Sequence, residues 1–224
     1  MKSIPILYYH NIGGENYKSF CKVDSFKYQM NFMFSRGYKG VGCDNLLIAG
    51  GEKLFGITFD DGYEDNLLNA LPILKSYNFK ATCFIVPNMI GATNSWDKVQ
   101  FKLMDKIQIK EWLDEGMSIG SHSLNHYDLS RLSAESMSKE IADSKKILED
   151  IFGISIDDFC YPYGKYNLKI TKKVKDFGYK RGITTKRGLY KSSDNNYDIK
   201  RVPVNRNDSK FKFWLKTMTA YENL

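Results

Sequence analysis

Apolar positions along the chain follow two alternating rhythms. Short, nearly continuous apolar runs at 4–9, 54–59, 80–86, 117–120, 157–160, 179–184 and 199–204 read as strands. Between them apolar residues recur every three or four positions, as a helix with one buried face requires. Phe26, Met30 and Met33 share such a face, and so do Leu67, Leu71 and Leu74. The longest stripe is Met137, Ile141, Ser144, Leu148 and Ile151, entered through Ser133 as N-cap and closed by Gly153. Another helix closes at Phe177 and Gly178. The run "KATCFIV" (80–86) is apolar on both faces, as a parallel strand covered by helices must be. Seven strands alternating with helices predict an α/β fold, a distorted parallel (β/α) barrel in a single domain over residues 1–224. The alternative is an open doubly wound sheet. No G-x-G-x-x-G follows the first strand, which argues against a dinucleotide fold.

Composition narrows the function classes. A chain of 224 residues with 42% hydrophobic and 26% charged residues suits one globular core. The net charge of +7 invites an acidic partner, but the lysines are spread along the chain. Their densest run, "KITKKVK" (169–175), scans as a helix with its polar face outward, and no aromatic-interleaved basic patch accompanies it. Nucleic acid is therefore not an expected partner, whereas an anionic sugar remains compatible. The opening "MKSIPILYYHNI" is broken by Pro5 and too short for a signal-peptide core, and nothing elsewhere reaches the length of a transmembrane segment. The expectation is a cytoplasmic protein, or an exported one if a leader has been removed; the oligomeric state has no signature. Cys21, Cys43, Cys83 and Cys160 show no C-x-x-C spacing and read as buried free thiols in a reducing compartment.

The polar residues then fall where parallel α/β chemistry gathers, beyond the C-terminal strand ends. His10 follows the first predicted strand, Asp60 and Asp61 the second, "SHSLNH" (121–126) the fourth and "YPYG" (161–164) the fifth. All three histidines of the chain sit at such ends. In "GITFDDGYEDN" (56–66) a turn explains the glycine and one aspartate; a second adjacent carboxylate calls for a cation. His122 and His126 are four apart, so a helical turn there would face both imidazoles the same way. With one aspartate of the pair they form a two-histidine, one-carboxylate set suited to zinc or another divalent transition metal.

Together, "TFDDG" (58–62), "SHSLNH" and "YPYG" resemble the polysaccharide deacetylases of carbohydrate esterase family 4, the NodB-homology group. The similarity runs from "LYYHNI" (7–12) to "RVPV" (201–204), and the "LYYH" and "YPYG" forms resemble the poly-N-acetylglucosamine deacetylase subgroup. The resemblance implies metal-dependent hydrolysis of an N-acetyl amide on an amino sugar, which is polymeric, oligomeric, or nucleotide- or lipid-linked. It assigns Asp61, His122 and His126 to a divalent metal, zinc first, with cobalt, nickel or manganese as alternatives. Asp60 matches the catalytic base and the Tyr163 backbone N–H the oxyanion donor, with Tyr161 and Pro162 beside the substrate.

Departures from the family pattern matter as well. No histidine follows His126 to serve as the acid for the leaving amine, and the "YYH" subgroup points to His10 instead. The arginine that often opens the third motif is replaced by Cys160, and its partner Asp-x-x-Asp-Trp is absent from "GITTKRGLY" (182–190), which leaves the orientation of Asp60 without a visible source. Trp96 and Asp97 are candidates for a sugar-stacking rim. Lys165, Lys186 and Arg187 are candidates for an anionic group, and Phe211 and Trp214 read as a core stripe. Competing readings are a deformylase or cyclic imidase on the same scaffold, a non-catalytic carbohydrate-binding relative, and a mononuclear iron oxygenase, which the β/α alternation disfavours.

Overall fold

The computed structural model describes residues 3–13, 20–46, 53–219 and 221. Its strands are β1 (Ile6–Tyr9), β2 (Tyr38–Val41), β3 (Lys53–Phe59), β4 (Thr82–Ile85), β5 (Ser118–Ser121), β6 (Asp158–Cys160), β7 (Arg181–Arg187) and β8 (Ile199–Pro203). The α-helices are α1 (Val23–Phe34), α2 (Leu71–Ser76), α3 (Lys106–Asp114), α4 (Ala134–Phe152), α5 (Leu168–Asp176) and α6 (Lys210–Met218). The strand order is β1-β8-β7-β6-β5-β4-β3-β2, all parallel, and β1 also pairs with β3 from Ile6↔Gly56 to Tyr9↔Phe59. The ring therefore closes through seven strands, as the sequence predicts. The eighth, β2, shares an edge of β3 with β4: it pairs as far as Gly56, and β4 takes over at Thr58.

Strand β2 is invisible in the sequence because "YKGV" carries a lysine and a glycine in place of an apolar run. Gly40 is required there, since an added Cβ would lie 2.7 Å from the Phe79 ring and 2.8 Å from Ile57 Cδ1. The predicted helix stripes are buried: Phe26, Met30 and Met33 on α1, Leu67, Leu71 and Leu74 around α2, and Met137, Ile141, Ser144 and Leu148 on α4. Ser133 caps α4 by accepting from Ser136 N at 3.1 Å, and Gly153 ends it at φ 67°. One expectation fails on α6. Phe211 and Trp214 are exposed and stack on each other, while Phe213, Lys216 and Thr217 face the core. The stripe lay one register away because the buried Lys216 gives its ammonium to Pro203 O and Asp208, so a residue that reads as polar occupies the inner face. Among the described residues all four cysteines are buried free thiols, and no helix is long and apolar enough to cross a membrane.

Alternation along the strands sorts side chains between two cores. On β3, Phe55, Ile57 and Phe59 belong to the large cluster under the helices, while Leu54 joins Ile6, Phe84, Cys160, Ile183 and Ile199 in a second cluster inside the barrel. Period-two alternation places Gly56, Thr58 and then Asp60 on that inner side. The sheet itself thus aims the first aspartate of the pair into the barrel mouth.

Candidate active site

Asp60 and Asp61 part company at the end of β3. Asp60 is buried and continues the strand; Asp61 turns into the left-handed region at φ 74°. Five non-glycine residues among those described have positive φ, and four of them, Asp61, Ser123, His126 and Tyr163, lie in the three motif segments. Such conformations cost on the order of 1–3 kcal/mol each and persist where surrounding structure enforces them. Strain is concentrated in one place.

In the "SHSLNH" segment that enforcement is visible. His122 N extends the sheet by donating to Ile85 O at 2.8 Å. The buried Glu140 of α4 receives Asn125 N at 2.9 Å and Asn125 Nδ2 at 2.6 Å, and Ser123 Oγ accepts from His126 N at 3.0 Å. The segment is not helical, which corrects the expectation that a helical turn aligns the histidines. Left-handed residues at Ser123 and His126 bring the two rings together instead.

Both rings face Asp61. Its Oδ1 lies 3.3 Å from His122 Nε2 and 3.2 Å from His126 Nε2, with all three residues about nine-tenths or more buried. His122 Nδ1 stands 2.8 Å from Cys160 O, and a carbonyl only accepts, so that nitrogen carries the proton. The Nε2 lone pair therefore points at a carboxylate oxygen that itself has no hydrogen-bond partner among the described residues. Lone pairs converging in a buried site repel unless a cation lies among them. The donor set, one carboxylate and two imidazoles with ligand atoms within 4.8 Å of one another, fits a divalent transition metal.

A proton shared among these residues is the alternative to a cation between them. Burial opposes ionisation of Asp61, but the close approach of His122 and His126 outweighs it and holds the carboxyl well below its ordinary range. Burial disfavours a charged imidazole at both histidines. At His122, Cys160 and Asp61 overcome it and raise the pKa well above the usual value; at His126 burial prevails and the pKa falls.

The source of Asp60's orientation is Arg201, which sequence reasoning missed. Arg201 is fully buried on β8 and meets Asp60 with two parallel bonds, Nη1 to Oδ1 and Nη2 to Oδ2, each 2.7 Å. Its Nε donates to Thr184 O at 2.8 Å, Nη1 to Thr58 Oγ1 at 3.0 Å and Nη2 to Cys160 Sγ at 3.3 Å. The guanidinium also lies 4.3 Å from the centre of the Tyr8 ring. Burial raises the pKa of Asp60, yet the charge and hydrogen bonds of Arg201 pull it below the ordinary carboxylate value. The sulfhydryl of Cys160 reaches Asp60 Oδ1 at 3.7 Å. The only signal in the sequence was the "R" of "RVPV".

His10 is half-buried, 6.0 Å between ring centres from Tyr8, and close enough to act electrostatically on Asp60, Asp61 and His126. Its carbonyl accepts Asn66 Nδ2 at 2.7 Å, so the final residue of "GITFDDGYEDN" holds the β1 end in place. Tyr163 adopts φ 56° and half-exposes its ring, which meets His126 edge-on at 4.6 Å. Tyr161 is a correction: its ring is fully buried, stacks on Tyr166 and donates its hydroxyl to Tyr197 O at 3.1 Å, so it cannot line a substrate groove. Pro162 is buried beside it and supports the turn at Tyr163. Trp96 stacks on His126 at 4.2 Å. Lys186 is tied to Asp198 at 3.0 Å, away from the anion-binding role considered for it.

Comparison with known proteins settles the family. The profile described as polysaccharide deacetylase matches residues 48–182, more than half of the chain. The chain belongs to the polysaccharide deacetylase family. It is 33% identical over 207 residues to YxkH of Bacillus subtilis, which bears a polysaccharide deacetylase name, covering 90% of this chain and 71% of that one. It is 30% identical over 174 residues to the poly-beta-1,6-N-acetyl-D-glucosamine N-deacetylase of Staphylococcus aureus, covering 74% of this chain and 58% of that protein. The Streptococcus pyogenes deacetylase PplD, solved with acetate, superposes with a TM-score of 0.85 at 27% identity over 96% of this chain and 98% of that one.

Proposed function

We propose that this polysaccharide deacetylase hydrolyses the N-acetyl amide of N-acetylglucosamine units in a polymer, with release of acetate. The observation that carries the reading is the convergence of Asp61, His122 and His126 beside the Asp60–Arg201 pair. The name of the staphylococcal relative supports the substrate class. The reading favours a polymer over the nucleotide- or lipid-linked sugar of the sequence analysis, and a polymer of this kind belongs to the cell surface.

Asp61, His122 and His126 would hold a divalent ion, with zinc the first choice for this donor set. When bound, such an ion lowers the pKa of water to about 7 and polarises a carbonyl. The residues of the chain do the rest. Asp60, kept ionised by Arg201, accepts a proton from the water that attacks the acetyl carbon. The Tyr163 N–H donates to the developing oxyanion, a contact worth about 3 kcal/mol in comparable sites. His10 donates a proton to the departing amine. The buried Arg201 keeps its own charge throughout, because Asp60 and Cys160 raise its pKa despite burial.

Purified protein supplied with zinc is incubated with poly-β-1,6-N-acetylglucosamine, chitin oligomers and UDP-N-acetylglucosamine, and acetate is followed by NMR. Acetate release from the β-1,6 polymer, abolished in Asp60→Asn, is expected. Release from the nucleotide sugar alone would overturn the substrate assignment, and formate from formylated analogues without acetate would overturn the reaction.

A further inference from the structure

The two histidines of the cradle are held differently. His122 has an acceptor for its outer nitrogen, the carbonyl of Cys160. His126 has none: its Nδ1 is buried and without a hydrogen-bond partner among the described residues. Histidines that bind metals normally fix their ring plane through a bond from that outer nitrogen. Here an aromatic contact occupies the neighbouring space, with the Trp96 ring 4.2 Å from the His126 ring at an interplanar angle of 29°.

We infer that Trp96 is a positioning residue for His126, its indole face fixing the imidazole plane in place of the absent hydrogen bond. Rotation about the Cβ–Cγ bond of His126 would swing a ring edge into the indole. The stack therefore holds Nε2 on Asp61 Oδ1, 3.2 Å away. Tyr163, edge-on at 4.6 Å, and His122, at 4.9 Å and 65°, bound other sides of the ring but present no parallel face.

The loop that carries the indole is anchored to the other half of the cradle. Asn94, fully buried, receives Phe101 N at 2.5 Å and donates its own N–H to Phe101 O at 3.0 Å, while Leu103 N reaches Ala92 O at 2.9 Å. The same loop is stitched to the turn after Asp61 through Met104 N to Gly62 O at 2.9 Å and Glu64 N to Lys102 O at 3.0 Å. Tyr63 adds a bond to Asp97 at 3.4 Å. One loop thus ties the Asp61 turn to the ring that steadies His126. This role differs from the sugar-stacking rim expected of Trp96, and it rests on the reading of Asp61, His122 and His126 as a metal site.

The test measures zinc affinity without substrate, by competition with a chromophoric chelator on the whole chain. Trp96→Ala is expected to lose about tenfold or more in affinity, the scale of supporting contacts around metal ligands, while Trp96→Phe stays within about threefold of the parent. Should Trp96→Ala fail to fold by circular dichroism, Trp96→Leu takes its place against Trp96→Phe. Parent-like zinc affinity in the Ala or Leu variant, with a raised KM for polymer, would overturn the inference and leave the metal reading standing. Equal loss in the Ala and Phe variants would also overturn it. Absence of zinc binding by the parent protein would remove both.

Discussion

The Asp60 carboxylate and the Arg201 guanidinium lie in parallel at 2.7 Å on both arms, fully inside the barrel and 141 residues apart in the chain. Arg201 Nη2 also touches the Cys160 sulfur, at 3.3 Å. The charge that orients Asp60 thus enters from β8. The small side chain at Cys160 leaves room for it.

Removing that charge takes away the largest influence opposing burial at Asp60. Arg201→Met is expected to raise the Asp60 pKa, because the opposing guanidinium is gone and desolvation favours the neutral acid. The acid limb of kcat/KM should then move to higher pH, measured on a soluble oligosaccharide. An unchanged limb would show that Arg201 does not govern the base.

The same substitution tests stability. Leaving one partner of a buried ion pair alone costs about 3–5 kcal/mol. In the parent the folded pKa of Asp60 is depressed, so its contribution is present above the unfolded value of about 3.9 and is lost as pH falls through the lower folded value. Denaturant unfolding at pH 7 should show the loss in Arg201→Met, and the gap to the parent should narrow as pH falls through the raised Asp60 pKa of the variant and close further below the depressed value of the parent.

Base and acid separate by substrate. Asp60→Asn keeps an acceptor for Arg201 and should lower kcat by about 10²–10⁴-fold, while zinc binding remains. His10→Gln should lose a comparable factor on the sugar amide and much less on an aryl acetate, whose phenolate leaves without a proton. An equal loss on both substrates would assign the acid elsewhere.

Asp65 makes an independent prediction. Burial pushes its carboxyl up to about 6, outweighing the Ile12 backbone, which favours the charged form. A raised folded pKa stabilises below the unfolded value of about 3.9, and that contribution is lost as pH rises through about 6. Asp65→Asn should therefore raise Tm at pH 8 and leave it nearly unchanged at pH 4, as read by calorimetry.

Much of this arrangement was legible because it depends on local spacing. Strand runs and helix stripes report burial directly, so the seven-strand barrel, the Ser133 cap and the Gly153 stop could be read residue by residue. The convergence of His122 and His126 was legible from their separation, but its cause was not. Left-handed backbone at Ser123 and His126 depends on Glu140, which sits on a helix further along the chain. Arg201 and β2 were hidden for related reasons. Nothing in "RVPV" shows that its arginine crosses the barrel to Asp60, and "YKGV" becomes a strand only because Lys53–Phe59 offers it an edge. Tyr161 reads as part of a functional motif, yet alternation on β6 turns it outward beneath the helices.

Equilibrium dialysis against zinc with elemental analysis tests the central claim most directly, since the whole account depends on three buried side chains gripping one ion. One zinc per chain is predicted for the parent and none at comparable affinity for Asp61→Ala. A parent chain that emerges without zinc, or an Asp61→Ala chain that retains a full equivalent, would contradict it.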